Sequence, residues 1–116
     1  MAIPSGSGSE VLKRAFLHDN NNSTSELLSG EANHIYTILS ITAADQTGSS
    51  QNIAIRVNTG SNDIYILPTT VLPANGSFVW NDKFVLYEDD DLDVYNSGAQ
   101  VDWYVSYIEQ DFTWVD

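Results

Sequence analysis

Apolar and polar positions alternate most clearly in the last third of the chain, Leu72 to Gln110. Leu92 and Val94 fall in one phase, with Asp93 and Tyr95 in the other. After Asn96-Ser97-Gly98 come Val101, Trp103, Val105 and Tyr107 in one phase. Asp102, Tyr104, Ser106 and Ile108 occupy the other. A two-residue period built from β-branched and aromatic residues predicts half-buried strands. Asn-Ser-Gly tolerates positive φ, so these two runs read as a hairpin. A slip of one residue would put Asp102 in the core and Trp103 in water.

The rest of the chain follows the same pattern with less regularity. Glu10 to His18 is the first strand candidate, although its alternation is imperfect and a helical turn is an alternative. Asp19 to Ser23 is a strong turn signal. Thr24 to Leu28 is a short strand ended by Ser29-Gly30. In His34 to Ala43, the best central strand, Ile35, Thr37, Leu39 and Ile41 share one phase. Tyr36 and Ile38 share the other, so burial is expected on both faces. Ile53, Ile55 and Val57 alternate with Asn52, Ala54 and Arg56 as a one-sided strand. Ile64 to Leu67 is stopped by Pro68, and Val71 to Ala74 crosses Pro73 as an edge or crossover. Phe78 to Trp80 and Phe84 to Tyr87 flank Asn81-Asp82-Lys83. About eight strands with turn signals roughly every ten residues predict an all-β antiparallel β-sandwich, jelly-roll-like in kind. The expected core is Ile35, Leu39, Ile41, Ile53, Ile55, Val57, Val101, Trp103 and Val105.

Composition narrows the class. A chain of 116 residues is sized for one domain, read as a Gly/Ser arm over 1–9 and a sandwich over 10–116. There is no cysteine, which excludes disulfides and thiolate metal sites. The net charge is −12, and only Lys13, Arg14, Arg56 and Lys83 are basic. Nucleic acid is therefore not an expected partner, because phosphate binding needs a positive field. Ten of the sixteen acids lie from Asp82 onward, giving a solvated, self-repelling surface. No apolar run approaches membrane-spanning length. The opening MAIPSGSGSE lacks the regions of a secretory signal. The expectation is a protein that works where it is made or leaves the cell by a route other than secretion, such as inside a virus particle.

Candidate chemistry is sparse. Glu88 to Asp91 with Asp93 offers oxygen ligands of the kind calcium takes, without the EF-hand spacing or glycine. A solvated turn is the simpler reading. Trp80 and Trp114 could form a sugar-binding platform, while Trp103 is in phase with core positions. His18 and His34 border turns at no metal-binding spacing. Asn22 and Asn75 open glycosylation triplets that matter only in a secreted protein. No nucleophile elbow or phosphate-binding loop occurs. The expectation is a protein that is not an enzyme, with no cofactor and no metal.

One resemblance adds to this. Ala32-Asn33-His34-Ile35-Tyr36-Thr37-Ile38-Leu39-Ser40-Ile41, Ile64-Tyr65-Ile66-Leu67 and Leu72-Pro73-Ala74-Asn75-Gly76 follow one another in order. Phe84-Val85-Leu86, Asp91 to Tyr95 and Val105 to Glu109 continue the series. Together they resemble the strand and turn pattern of small β-sandwich virion proteins of tailed phages. These are capsid decoration, or cement, proteins with related head-fibre and tail-associated subunits. The similarity spans about residues 30 to 110 and rests on strand patterns. The Asp run and the Phe112 to Val115 tail depart from it. The resemblance implies a structural protein on the capsid surface, assembled in the host cytoplasm. Its partner would be the major capsid protein, and its state a homo-oligomer, expected to be a trimer. Lys13 and Arg14, the only adjacent basic pair, are the expected contact to capsid or neighbour. The alternative is a tail or fibre module recognising host glycan through Trp80 and Trp114.

Overall fold

The computed structural model describes residues 3–5, 10–19, 23–98 and 100–115, with side chains described over 10–18, 24–98 and 100–112. Among the described residues there is no helix. The strands are β1 (Ile3–Ser5), β2 (Val11–Asp19), β3 (Ser23–Ser29), β4 (His34–Asp45), β5 (Gln51–Asn58) and β6 (Asp63–Leu72). They continue with β7 (Ser77–Trp80), β8 (Phe84–Tyr87), β9 (Asp91–Asn96), β10 (Val101–Asp111) and β11 (Thr113–Val115). A five-stranded sheet runs β2-β10-β4, with β7 and β8 sharing the far edge of β4. A four-stranded sheet runs β3-β9-β5-β6. All pairings are antiparallel.

With β7 and β8 taken as one interrupted strand and β2 as the first, the sheets read 1-8-3-6 and 2-7-4-5. This is the strand order of a jelly roll, in which successive strands other than 4 and 5 alternate between two packed sheets. The expected antiparallel sandwich is therefore present. The jelly-roll arrangement follows from long-range pairing such as Val101 to Asp19 and Ala54 to Tyr95. In addition, β1 pairs with β11, so the first strand of the N-terminal arm lies along the chain's own C-terminal segment.

The core lies between the sheets. Ile41, Ala43, Val101, Trp103 and Val105 come from one sheet, and Ile53, Ile55, Leu92 and Val94 from the other. Each large side chain removed from water contributes about 1.5–3 kcal/mol. Trp103 donates its indole Nε1–H to Asn96 Oδ1 at 3.1 Å, so a buried hydrogen bond joins the two sheets. Asn96 in turn donates to the Gly98 carbonyl at 2.6 Å.

Three expectations are corrected. Ile35 and Leu39 are only half-buried, whereas Tyr36 and Ile38 belong to the core. The pairing of β4 with β10 runs Ser40 to Ser106 and then Ile38 to Tyr107, leaving Leu39 as an extra residue. A bulge of this kind inverts the phase of alternation. Core positions therefore read Tyr36 and Ile38 before it, and Ile41 and Ala43 after it. The second correction concerns Pro68, which does not end its strand. β6 is a sheet edge, where a residue without an N–H is tolerated. The register passes from Ile53–Thr70 to Ile55–Leu67, so Pro68 and Thr69 together face Ala54. The third concerns the hairpin: β9 pairs with β3 and β5, and β10 with β2 and β4, so the two runs on either side of Asn96-Ser97-Gly98 lie in different sheets and do not pair with each other.

Close approach fixes the corner after β3. A side chain at Gly30 would place Cβ 2.0 Å from the Glu88 carbonyl oxygen and 2.5 Å from that of Asp90. The Gly30 N–H donates to the Asp90 carbonyl at 3.0 Å, so backbone occupies the space a larger residue needs.

Candidate functional site

The two outer sheet faces differ in character. On the five-stranded sheet the register aligns Leu12, Ile108, Thr37 and Val85 in one row, and Arg14, Ser106 and Ser40 in the next. Phe16, Tyr104, Thr42 and Val79 form the third. Leu12 is 71% exposed and Phe16 65%, and Tyr104, Val79 and Val85 are also exposed. Arg14 is the only charged side chain in these rows. Its guanidinium lies 5.1 Å from the Phe16 ring centroid and 5.9 Å from that of Tyr104, within cation–π range. In a chain of net charge −12, these three rows mix apolar side chains with serine and threonine and carry no acid; Asp102 lies in the row beyond, beside His18.

The strand period separates the two predicted contact residues. Arg14 lies within the apolar face. Lys13 points the other way and pairs with Glu109 at 3.2 Å. That pairing raises the Lys13 ammonium above its usual range, through the hydrogen bond first and the charge second. Trp80 is half-buried against the core, and its Nε1–H donates to the Asp82 carbonyl at 2.9 Å. Trp114 falls among the residues whose side chains lie outside the described set. The acidic run forms the β8–β9 turn: Asp90 Oδ2 accepts the Tyr87 N–H at 3.0 Å, and Glu88 N–H donates to the His34 carbonyl at 2.9 Å. His18 contacts Asp102, which also accepts from the Gln46 amide.

A cluster absent from the sequence reading closes one end of the sandwich. His34 Nδ1 lies 2.8 Å from Glu109 Oε2, and its Nε2 lies 3.4 Å from Glu31 Oε2. This donor set could hold a cation. Lys13 already neutralises Glu109, and the Tyr36 hydroxyl accepts the Glu31 N–H at 2.9 Å. Burial, reinforced by the Glu109 charge, pushes the Tyr36 phenol up to about 12. His34 and Glu109 are 75 residues apart in sequence, so no local spacing signals the pairing.

The outer face of the four-stranded sheet is polar and carries a cleft of about 320 Å³. It opens where β6 bulges away at Pro68 and Thr69. Ala54, with the smallest side chain in the lining, forms the floor. The register sets Tyr65, Arg56 and Asp93 in one row and Ala54, Tyr95 and Thr24 in the next. Arg56 Nε stands 3.5 Å from Asp93 Oδ2, and Nη1 stands 3.4 Å from Asp63 Oδ2. Nε is nevertheless buried with no hydrogen-bond partner among the described residues. Burial pushes the Asp93 carboxyl up; Arg56 opposes this and Asp91 reinforces it. Glu26, beside Asp93 across the β3–β9 pair, is also raised, by burial and then by Asp91.

The fold places the chain in the jelly-roll class, whose members include viral capsid and lectin domains. No protein-family model matches the sequence, and no curated protein matches it. Similar folds occur among solved structures. A chain from the disulfide-linked pili of Bacillus endospore appendages aligns with TM-score 0.58 and 14% identity, over 93% of each chain. A chain from the acid-stable capsid of Helicobacter pylori bacteriophage KHP30 aligns with TM-score 0.58 and 11% identity, over 100% of this chain and 99% of that one. A chain of the T13 IBDV viral particle aligns with TM-score 0.55 and 9% identity, over 89% of this chain and 31% of that one. The fold is thus shared with proteins of viral particles and pili. This chain has no cysteine with which to form disulfide links.

Proposed function

We propose that this protein is a structural subunit of a tailed-phage virion. In this reading it binds the capsid exterior through the outer face of its five-stranded sheet, and so decorates and cements the head. The observation that carries the reading is the apolar, nearly uncharged face of Leu12, Phe16, Tyr104 and Val79 on an otherwise acidic jelly roll. A patch of this kind, even at the size ordinary for a soluble monomer, is often functional. The likeness in fold to a phage capsid chain supports the same reading. Its partner is the major capsid protein, its location the capsid surface, and its place of assembly the host cytoplasm. No catalytic step is part of its role. Arg14 meets the capsid at the centre of the face; Lys13, turned the other way onto Glu109, is not part of this contact.

The size of the face constrains the mechanism. Four strand positions and three rows span roughly 15 Å by 20 Å. That is well below the roughly 800 Å² per partner of a standard stable interface. One such contact is weak, so cementing requires several contacts acting together. A homotrimer across neighbouring capsomers supplies them.

The test mixes purified protein with undecorated capsids and counts occupancy by electron cryo-microscopy. Phe16→Asp and Tyr104→Asp, both at exposed positions, should keep wild-type thermal stability and lose occupancy. Deleting residues 2–9 should lower occupancy less. Full occupancy by both aspartate variants would refute the assignment of the face. Sedimentation as a monomer at high concentration, together with isolated copies on the capsid, would refute the trimer.

A further inference from the structure

The polar cleft on the four-stranded sheet is unexplained by capsid binding, because it lies on the opposite outer face of the sandwich. Its volume of about 320 Å³ falls at the small end of the range for small-molecule sites. Tyr65 and Tyr95 stand on β6 and β9, on either side of the Ala54 and Arg56 positions of β5. Tyr65 is 53% exposed, so one ring presents a face to solvent. Arg56 Nε is buried and makes no hydrogen bond among the described residues, although Asp93 Oδ2 stands 3.5 Å away. The guanidinium borders the cleft and can donate to an incoming hydroxyl oxygen.

Charge selects the ligand class. Arg56 is already balanced by Asp93 and Asp63 at 3.5 Å and 3.4 Å. An anion would meet those carboxylates within the field of a protein of net charge −12. A cation would meet the guanidinium. A neutral molecule with neighbouring hydroxyl groups avoids both penalties. It can donate to Asp93, accept from Arg56 and lay its C–H face on a tyrosine ring. We infer that the cleft between Tyr65, Arg56, Asp93 and Tyr95, floored by Ala54, is a binding site for an uncharged carbohydrate. The site does not depend on the capsid-binding reading. A particle decorated through the apolar sheet would present these clefts outward, and many weak copies would act together.

The experiment titrates isotope-labelled protein with glucose, galactose, mannose, N-acetylglucosamine, lactose and maltose, followed by NMR up to tens of millimolar. Glucuronate, glucosamine and inorganic phosphate are the charged comparisons. At least one neutral sugar should shift the backbone resonances of Ala54, Arg56, Tyr65 and Tyr95, with millimolar affinity. Tyr65→Ala, at an exposed position, and Ala54→Leu, which fills the floor, should each weaken binding by about tenfold or more. Trp80→Ala should leave it unchanged. Three results would overturn the proposal. These are no shift with any neutral sugar, tighter binding of a charged comparison, or sugar binding that survives Tyr65→Ala.

Discussion

Trp103 is where the stability of the two-sheet arrangement can be measured most directly. Its side chain is 1% exposed, and its Nε1–H is held by Asn96 Oδ1 at 3.1 Å. Trp103 belongs to the five-stranded sheet and Asn96 to the four-stranded one, so the bond crosses the sandwich. Trp103→Ala opens a core cavity and should cost about 3–5 kcal/mol. Against a typical total of about 5–15 kcal/mol, that is about a fifth or more of the stability of the domain. Trp103→Phe keeps most of the apolar volume and strands the Asn96 acceptor, so it should cost about 1–3 kcal/mol. For a domain of this size each kcal/mol lowers Tm by roughly 4–8 °C. Urea unfolding followed by far-UV circular dichroism is the suitable assay, because Trp80 and Trp114 keep fluorescing in both variants. A double-mutant cycle with Asn96→Ala isolates the coupling, which should be about 0.5–3 kcal/mol for residues in direct contact. A Trp103→Phe variant as stable as wild type, or a coupling of zero, would refute the inter-sheet hydrogen bond as a source of stability.

Other outcomes follow from the same geometry. Gly30→Ala drives Cβ into the Glu88 and Asp90 carbonyls and should destabilise by about 1–3 kcal/mol, read from the urea midpoint. Deleting Leu39 removes the bulge yet leaves Ile38 and Ile41 in the core phase; it should lower Tm far less than deleting Thr42, which throws Ala43 out of phase. Glu26 and Asp93 have carboxyls raised in the folded state, so their ionised forms weaken folding at neutral pH. That penalty is relieved as pH falls through the raised values toward the ordinary carboxylate range. Tm should therefore rise as pH falls from neutral toward the ordinary carboxylate range. Glu26→Gln should raise Tm at neutral pH and flatten the rise, and a Tm that falls over that interval in wild type would contradict the assignment.

Much of the local architecture was legible in the sequence by itself. The period-two runs of Val101 to Tyr107, Leu92 to Val94 and Ile53 to Val57 place the same side chains in the core that the structure buries. They do so because burying one sheet face makes each strand's alternation a direct record of its orientation. That record fails where the backbone departs from two-residue periodicity. Leu39 adds one residue to β4 and inverts the phase of Ile35 and Leu39, and nothing in Thr-Ile-Leu-Ser-Ile announces the bulge. Pro68 reads as a stop because a central strand needs its N–H; only the edge position of β6 removes that need. The surfaces depended still more on tertiary structure. Phe16, Tyr104 and Val79 come from three strands far apart in sequence, and strand order alone sets them in one row. The cleft of Tyr65, Arg56, Asp93 and Tyr95 and the Lys13, Glu109 and His34 cluster arise in the same way, from cross-strand neighbours whose proximity is a property of the pairing. Alternation is a local consequence of burial and can be read from one strand; which strands meet is settled by how all of them close a common core.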